Sequence, residues 1–303
     1  MEGVFAPGEW EKLYRHFGED VAGKVRDGLA RYGRRWGLRD LRFIPYYSVN
    51  CLFTACSGQY GDVVLKLGPV CPEMLTECAA LRDFDGRGFC RLYEAEPEDG
   101  ALLLERILPG TPLRAVKDRE RRLELFCGVY RELPRLPMQE GRYPTYQGWA
   151  EKIAATMRRL PANLELSGAM QRARTVFGSL WDRYPQRILL HGDLHHDNIL
   201  LSGEGGYRAI DPKGVIGDPL FSLARFLLNE PYGQEARPLH FLQEDVEELA
   251  ARLGYPAGDI ARCFYVEAAM CSCWSVEDGA PAEEYPALER EVALAASLLA
   301  RYE

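Results

Sequence analysis

Two short apolar runs that enclose a cluster of polar side chains limit the possible folds of this chain more than any other feature of its sequence. The runs are Ile188–Leu190 and Ile199–Leu201, and the eight residues between them read His-Gly-Asp-Leu-His-His-Asp-Asn. Short apolar runs bounded by turn-forming residues are typical of buried strands. The sequence therefore predicts two short strands that anchor a polar loop in a core.

Three oxygen-bearing side chains in and after this loop indicate which type of reaction the chain could catalyse. Asp193 and Asn198 lie five residues apart, and Asp211 follows Asn198 by thirteen residues, at the end of the next predicted strand. Phosphoryl transfer requires a carboxylate that orients the attacking hydroxyl, and carboxylate or amide oxygens that hold Mg²⁺ against the phosphates. The spacing matches the catalytic and metal loops of kinases.

The rest of the chain divides into a β-rich front and a helical back. Up to residue 107, residue patterning predicts a helical segment that breaks near Gly18, three strands, a helix and two strands: 9–36, 41–47, 51–55, 63–67, 72–83, 89–95 and 101–107. Leu108–Pro112 is predicted to interrupt regular structure as a hinge. Six helical segments are predicted beyond it: 118–133, 147–160, 168–181, 242–253, 258–276 and 282–301. The plan is α+β, with an N-terminal lobe over 1–107 and a C-terminal lobe over 108–303.

Composition excludes several classes of protein. The net charge is −8 and no dense Lys/Arg run occurs, which argues against nucleic-acid binding and suits a cationic small substrate. The nine cysteines include no CxxC pair, so reduced thiols are expected, with Cys271 and Cys273 packed in a helix rather than on a metal. No apolar run approaches the roughly 20 residues of a membrane span, and the start lacks a secretory pattern, so a cytoplasmic location is expected.

The catalytic string resembles a known family. The His-Gly-Asp-Leu-His-His-Asp-Asn loop, followed by Ile210-Asp211-Pro212, resembles the aminoglycoside phosphotransferases of the protein-kinase-like superfamily, in which glycine replaces the arginine of His-Arg-Asp. Gly214–Pro219 and Trp274–Gly279 resemble the streptomycin 6-kinase and hydroxyurea phosphotransferase subgroup within it. The resemblance implies a two-lobed protein-kinase-like fold and transfer of phosphate from ATP to a small molecule.

The same resemblance implies a role for each loop residue. Asp193 would orient and deprotonate the acceptor hydroxyl, Asn198 and Asp211 would bind Mg²⁺, and His195 would shape the loop or approach the γ-phosphate. His191 would hold the loop through a backbone hydrogen bond. The two remaining polar residues are interpreted as solvent-exposed spacers: His196 and Asp197.

The front half offers an independent check, because a kinase needs a strand lysine for the phosphates and a helix glutamate to hold it. Lys66 is the single charge in the apolar end of a strand, and Glu77 lies on the following helix. An unpaired buried charge is costly, so the pair Lys66–Glu77 is expected. The alternatives are a solvent-facing edge-strand lysine, or Glu73 as the partner.

The nucleotide site is less well marked in the sequence. In the family, adenine contacts backbone groups of the connector, which here lie near Glu105 and Ile107. No GxGxxG phosphate loop occurs within 41–62, where Ser48-Val49-Asn50 forms the corresponding turn. ATP is the expected donor, and GTP stays open. Downstream, Ser222 replaces a second aspartate of many relatives, and Asp218 is the candidate to stabilise the loop instead.

The acceptor site is predicted on one late helix and its end. An amino-sugar or guanidino substrate needs carboxylates and an aromatic wall, and the candidates are Glu267, Trp274, Glu277 and Asp278. The alternative is a core tryptophan with solvated acids. Three functions follow: an antibiotic kinase of streptomycin type, a kinase of an ordinary metabolite such as an amino alcohol or sugar, and an inert nucleotide-binding protein. Either a monomer or a homodimer is compatible with the sequence.

Overall fold

The computed structural model describes residues 3–46, 49–160, 163–203, 205–230 and 239–303. The predicted turn residue Ser48 and the predicted strand end Tyr47 lie outside these residues. Two compact units are present, each containing two stretches of the chain. The first comprises 1–111 and 200–213, and the second comprises 112–199 and 214–303. The lobe boundary at 107/108 stays a prediction, and the units are described separately below.

The first unit begins with a long helix, α1 (Glu9–Arg35). Gly18 interrupts it with a φ of 78°, a left-handed conformation that glycine adopts without a Cβ clash. The buried face includes Leu13, Val25, Leu29 and Tyr32 and packs into one core with the adjoining sheet. The break predicted near Gly18 is confirmed.

A five-stranded antiparallel sheet forms the centre of the first unit. Its order is β1-β2-β3-β5-β4. The strands are β1 (Leu38–Ile44), β2 (Cys51–Ser57), β3 (Gly61–Leu67), β4 (Leu92–Glu96) and β5 (Ala101–Glu105). Helix α2 (Pro72–Phe84) lies between β3 and β4 in sequence, with proline in its first turn, where no backbone N–H is needed. The predicted order of helix, three strands, helix and two strands is confirmed.

A small sheet completes the first unit, in the order β6-β8-β9. Its strands are β6 (Pro109–Pro112), β8 (Ile199–Ser202) and β9 (Tyr207–Ala209). The prediction that Leu108–Pro112 interrupts regular structure is wrong for Pro109–Pro112, because this segment pairs with β8 at a long sequence separation. Sequence periodicity does not register such pairing in a four-residue strand rich in proline.

The second unit is mainly helical. Its strands β7 (Ile188–Leu190) and β10 (Val215–Gly217) pair antiparallel, so that Leu190 faces Val215. The helices are α3 (Arg119–Glu132), α4 (Tyr146–Arg159), α5 (Leu164–Arg183), α6 (Ser222–Leu228), α7 (Leu239–Leu253), α8 (Ala257–Glu277) and α9 (Tyr285–Leu299). The six predicted helices are confirmed, whereas the sequence prediction missed α6.

Helix α8 is the core of the second unit. It packs against α4, α5, α6, α7 and α9, and fourteen of its residues are buried. Because other helices surround α8, its sequence is apolar on most sides of the helix and not along a single stripe. In the part of the chain that the structure describes, no helix has the length and apolar character that a membrane crossing requires.

Candidate active site

In the first unit, Lys66 lies at the end of β3 and is 4% exposed. Its ammonium group donates to both carboxylate oxygens of Glu77 on α2, at 2.8 and 2.7 Å. It also donates to Asp211, which follows β9. The predicted pairing of Lys66 with Glu77 is thus present in the structure, and the solvent-facing alternative is wrong.

The charges around Lys66 favour its cationic form. Burial alone lowers the pKa of Lys66, but the carboxylates of Glu77 and Asp211 outweigh burial and hold the pKa above its ordinary value. Asp211 differs from Glu77 in exposure, since 52% of its side chain is accessible. Its φ of 57° is left-handed, a conformation that aspartate tolerates better than most residues. The arrangement is a fixed cation beside an accessible carboxylate.

The predicted adenine contacts lie at the end of β5. The backbone N–H of Glu105 donates to the carbonyl of Arg91 at 2.8 Å, and its carboxylate accepts from Arg208. Ile107 is buried in an apolar cluster with Leu102 and Leu104. Adenine therefore cannot use the N–H of Glu105 without displacing Arg91. Both contacts stay predictions.

In the second unit, residues 191–198 form a loop that its own side chains hold. Gly192 has a φ of 83°, which a residue with a Cβ adopts only with strain. The backbone N–H of Asp193 donates to Nδ1 of His191 at 3.1 Å, and the amide of Asn198 donates to the carbonyl of Asp193 at 2.9 Å. The predicted structural role of His191 agrees with this contact.

Arg225 and His195 lie beside the carboxylate of Asp193 in the second unit. Nε of Arg225 on α6 lies 2.9 Å from Oδ1 of Asp193, and Nε2 of His195 lies 3.9 Å from the same oxygen. Burial outweighs the nearby carboxylates and lowers the pKa of His195, so its imidazole is neutral near pH 7. Asp193 is therefore a carboxylate beside a guanidinium, with a neutral histidine at its side. Arg225 was not predicted.

The interpretation of His196 and Asp197 as solvent-exposed spacers is wrong. His196 is fully buried, and its Nε2 pairs with Oε2 of Glu230 at 2.7 Å. The other oxygen of Glu230 accepts from Arg122 on α3. Asp197 accepts two hydrogen bonds from Arg114, at 2.8 and 2.9 Å, and this pairing outweighs burial to lower the pKa of Asp197. Both residues fasten the loop to the surrounding helical unit.

Replacing Arg122 by Met should destabilise the protein, because Glu230 would lose its guanidinium partner inside the core. Removing one partner of a buried ion pair typically costs about 3–5 kcal/mol, and His196 still bonds Glu230, so we expect about 3 kcal/mol. Thermal unfolding measures this as a lower Tm. The matched control is Arg121→Met, since Arg121 is half exposed and pairs with Glu124, which is equally exposed. Equal shifts in the two variants would contradict a role for the buried network.

The predicted acceptor residues differ in their surroundings. Glu267 is only 3% exposed, and its Oε1 lies 3.3 Å from Nε of Arg225. Trp274 is half-buried, and its ring meets that of Trp149 on α4 edge to face, with centroids 5.6 Å apart. Glu277 accepts from Thr156 at 3.1 Å, and Asp278, just after α8, is exposed. Trp149 was not predicted, because only tertiary packing brings its ring to Trp274.

The hydrogen bonds of Asp218 reach a nearby residue and a residue that precedes the loop in sequence. Its carboxylate accepts from the backbone N–H groups of Leu220 and Gln186, and Gln186 lies two residues before β7. Burial raises the pKa of Asp218. Side chains that contact the loop from outside include Arg114 and Glu230, which hydrogen-bond it, and Arg225, which forms an ion pair with Asp193. That Asp218 stabilises the loop in place of an aspartate at Ser222 stays a prediction.

The donor types present suit magnesium. Carboxylate and amide oxygens are hard ligands, and Mg²⁺ is usually held by one or two such groups together with substrate phosphates. Asp211 in the first unit and Asn198 in the second unit each offer such an oxygen. Among the described residues, no group of three or more His, Cys, Asp or Glu side chains could hold a metal ion.

Comparison with known proteins identifies the family. The sequence model described as "Aminoglycoside/hydroxyurea antibiotic resistance kinase" matches residues 57–279. A hydroxyurea phosphotransferase from Kitasatospora aureofaciens is 31% identical over 295 residues, which is 95% of this chain and 81% of that protein. A streptomycin 6-kinase from Streptomyces griseus is 28% identical over 205 residues, covering 64% of each chain. The predicted subgroup is confirmed.

A solved structure confirms the fold. A thermostable mutant of the aminoglycoside phosphotransferase APH(4)-Ia, in a ternary complex with ADP and hygromycin B, superposes with a TM-score of 0.64 at 15% identity, covering 88% of this chain and 97% of that one. The predicted protein-kinase-like α+β fold, with a β-rich front and a mainly helical remainder, is therefore correct. With a family match over most of its length, this chain belongs to the aminoglycoside/hydroxyurea antibiotic resistance kinases, a family of small-molecule phosphotransferases.

Proposed function

We propose that this chain transfers the γ-phosphate of ATP to a hydroxyl of a small antibiotic, with streptomycin-type aminoglycosides as the leading substrate class. The observation that carries the proposal is the buried Lys66, which Glu77 and the accessible Asp211 hold in its charged form. An apolar residue would pack at this buried position better than a lysine, so packing does not explain Lys66. It suits a site that binds phosphate.

The proposed reaction is a direct in-line transfer. Asp193 orients the acceptor hydroxyl and takes its proton as the hydroxyl oxygen bonds the γ-phosphorus. The bond between the γ-phosphorus and the bridging oxygen breaks, and ADP leaves with that oxygen. No phosphoenzyme forms. Most of the rate enhancement would come from positioning and from neutralisation of charge.

The other residues have supporting roles in the proposal. Lys66 would bind the α- and β-phosphates, Glu77 holds Lys66, and Asp211 and Asn198 would supply oxygen ligands to Mg²⁺. When bound, Mg²⁺ would neutralise phosphate charge. His195, which is neutral near pH 7, shapes the loop through the N–H of Asp197, a bond of 3.3 Å. ATP is the proposed donor.

The acceptor is proposed to bind near the end of α8. Trp274 and Trp149 form an aromatic corner, and Glu277 and the exposed Asp278 bring negative charge to the same helix end. Guanidinium groups stack on aromatic faces and pair with carboxylates, so streptomycin has the right chemistry. Glu267 is already paired with Arg225 and buried, so the proposal gives it no direct contact with substrate.

A phosphorylation screen tests the substrate class. The purified full chain is incubated with ATP and Mg²⁺ and with streptomycin, hydroxyurea, choline or ethanolamine, and products are read by their mass gain of one phosphoryl group. Expression in a sensitive host should raise streptomycin tolerance. Transfer to amino alcohols alone would favour an ordinary metabolite kinase. Absence of any ADP formation would indicate an inert nucleotide-binding protein.

Trp274→Ala should weaken acceptor binding specifically. Loss of a partly desolvated cation–π contact is worth about 1–2 kcal/mol, so we expect KM for streptomycin to rise about tenfold while KM for ATP stays constant. Trp274→Phe keeps a ring and serves as the matched control, with a smaller rise. If KM for both substrates rose together, Trp274 would be a packing residue and not part of the acceptor site.

A further inference from the structure

Arg225 lies at the centre of a buried group of charges within the second unit. It projects from α6 and only 12% of its side chain is exposed. Its Nε lies 2.9 Å from Asp193 and 3.3 Å from Glu267 on α8. One terminal nitrogen donates to the thiol of Cys271, one turn further along α8. The guanidinium therefore joins the loop of Asp193 to the central helix of the unit.

The two sides of Arg225 are not equivalent. On the α8 side, Glu267 and Cys271 both contact the guanidinium, and the Cys271 thiol donates in turn to Glu267 at 3.5 Å. On the loop side, Nε of Arg225 lies 2.9 Å from Oδ1 of Asp193, and among the described residues this Nε has no hydrogen-bond partner. Residues of α8 therefore hold one side of the guanidinium, and its positive charge faces Asp193 on the other side.

The positive charge of Arg225 compensates the buried negative charge of Glu267. Glu267 is nearly inaccessible to water, and an ion buried without a counter-charge is costly. One guanidinium between two carboxylates leaves a net charge of −1 on the three groups. The other titratable groups that face them are His195 in the loop, Tyr146 on α4 and Cys271 on α8. Arg225 is the cation that these described neighbours share.

We propose that Arg225 is a positioning residue for phosphoryl transfer, which presupposes the proposed kinase function: Glu267 and Cys271 hold its guanidinium, and the guanidinium fixes the carboxylate of Asp193. A fixed cation against one carboxylate oxygen restricts rotation of that carboxylate. The orientation of Asp193 toward an acceptor hydroxyl then depends on a residue on another helix. A misplacement of about 1 Å at a reacting group can reduce the rate about 10²-fold.

The test separates positioning from folding with four variants of the full chain: R225M, R225K, the double variant R225M/E267M and the control R262M. ADP release from MgATP is measured with streptomycin and with hydroxyurea, alongside Tm. For R225M we expect kcat to fall about 10²-fold with KM for ATP unchanged. R225K, which keeps a charge, should recover part of kcat. R262M removes an arginine that also pairs with a buried acid, Asp259, and should leave kcat unchanged.

The double variant decides the outcome even if R225M folds poorly. Replacing both buried partners by methionine removes the uncompensated charge of Glu267, so Tm should return toward the wild-type value while kcat stays low. Recovery of kcat together with Tm would show that Arg225 is purely structural and would overturn the inference. If the wild type is active and R225M is equally active, the inference is also overturned. A wild type that forms no ADP with either acceptor overturns the proposed function, and the inference with it.

Discussion

Replacing Asp193 by Asn is expected to reduce kcat by about 10²- to 10⁴-fold, the usual contribution of a positioned general base. The amide keeps the size of the side chain but cannot take the proton of the acceptor hydroxyl, and it has no charge to pair with Arg225. KM for ATP should change little, because the change is confined to the proton acceptor. Transfer of radiolabelled phosphate from ATP to the acceptor measures the effect.

Asp27→Asn provides the control for this variant. The side chain of Asp27 on α1 is 81% exposed, so the same chemical change there should leave kcat unaltered. Near-normal turnover in Asp193→Asn would remove the basis for the proposed mechanism. A parallel loss of ATP binding would instead indicate that the loop had unfolded, and a Tm measurement on the same sample separates these results.

Replacing Lys66 by Met should reduce both activity and stability. Loss of a donor aimed at the phosphates typically lowers kcat by about 10²- to 10³-fold. Glu77, which is 5% exposed, would lose its counter-charge, and breaking a buried pair costs about 3–5 kcal/mol. Denaturant unfolding measures the second effect, and the ADP-release assay measures the first.

The double variant Lys66→Met/Glu77→Met dissociates the two effects. With both charges removed, the free energy of unfolding should return close to the wild-type value, because apolar replacement of a whole buried pair is often neutral or stabilising. Activity should stay low, because the phosphates still lack a cation. Lys152→Met, at an exposed position of α4, is the matched control. If the double variant regained activity, Lys66 would have only a structural role.

Much of the site could be predicted from sequence because its residues occur in locally patterned segments. Lys66 stands out in an apolar strand, and Glu77 lies on the helix that follows, so their pairing needs only the neighbouring elements of one unit. The loop from His191 to Asn198 is likewise a continuous string whose hydrogen bonds run largely between its own members. Local order in the sequence was enough for these features.

The misses have a common cause. His196 and Asp197 look like ordinary surface residues in the sequence, yet His196 pairs with Glu230, 34 residues away, and Asp197 pairs with Arg114, 83 residues away. Strand β6 was missed for the same reason, since its partner β8 is far along the chain. Helix α6 is only seven residues long, too short for its periodicity to be recognised.

The sequence by itself determined the order of helices and strands up to residue 107, the composition of the catalytic string and the expectation that Lys66 pairs with Glu77. Only the tertiary structure decided which charged residues are buried and which partners they have. Arg225 and Glu230 are unremarkable in one dimension, because a charged side chain acquires its energetic cost only when packing removes it from water. Partners that are distant in sequence offset that cost. The linear pattern of residues does not reveal which segments pack together, so it does not reveal these partners.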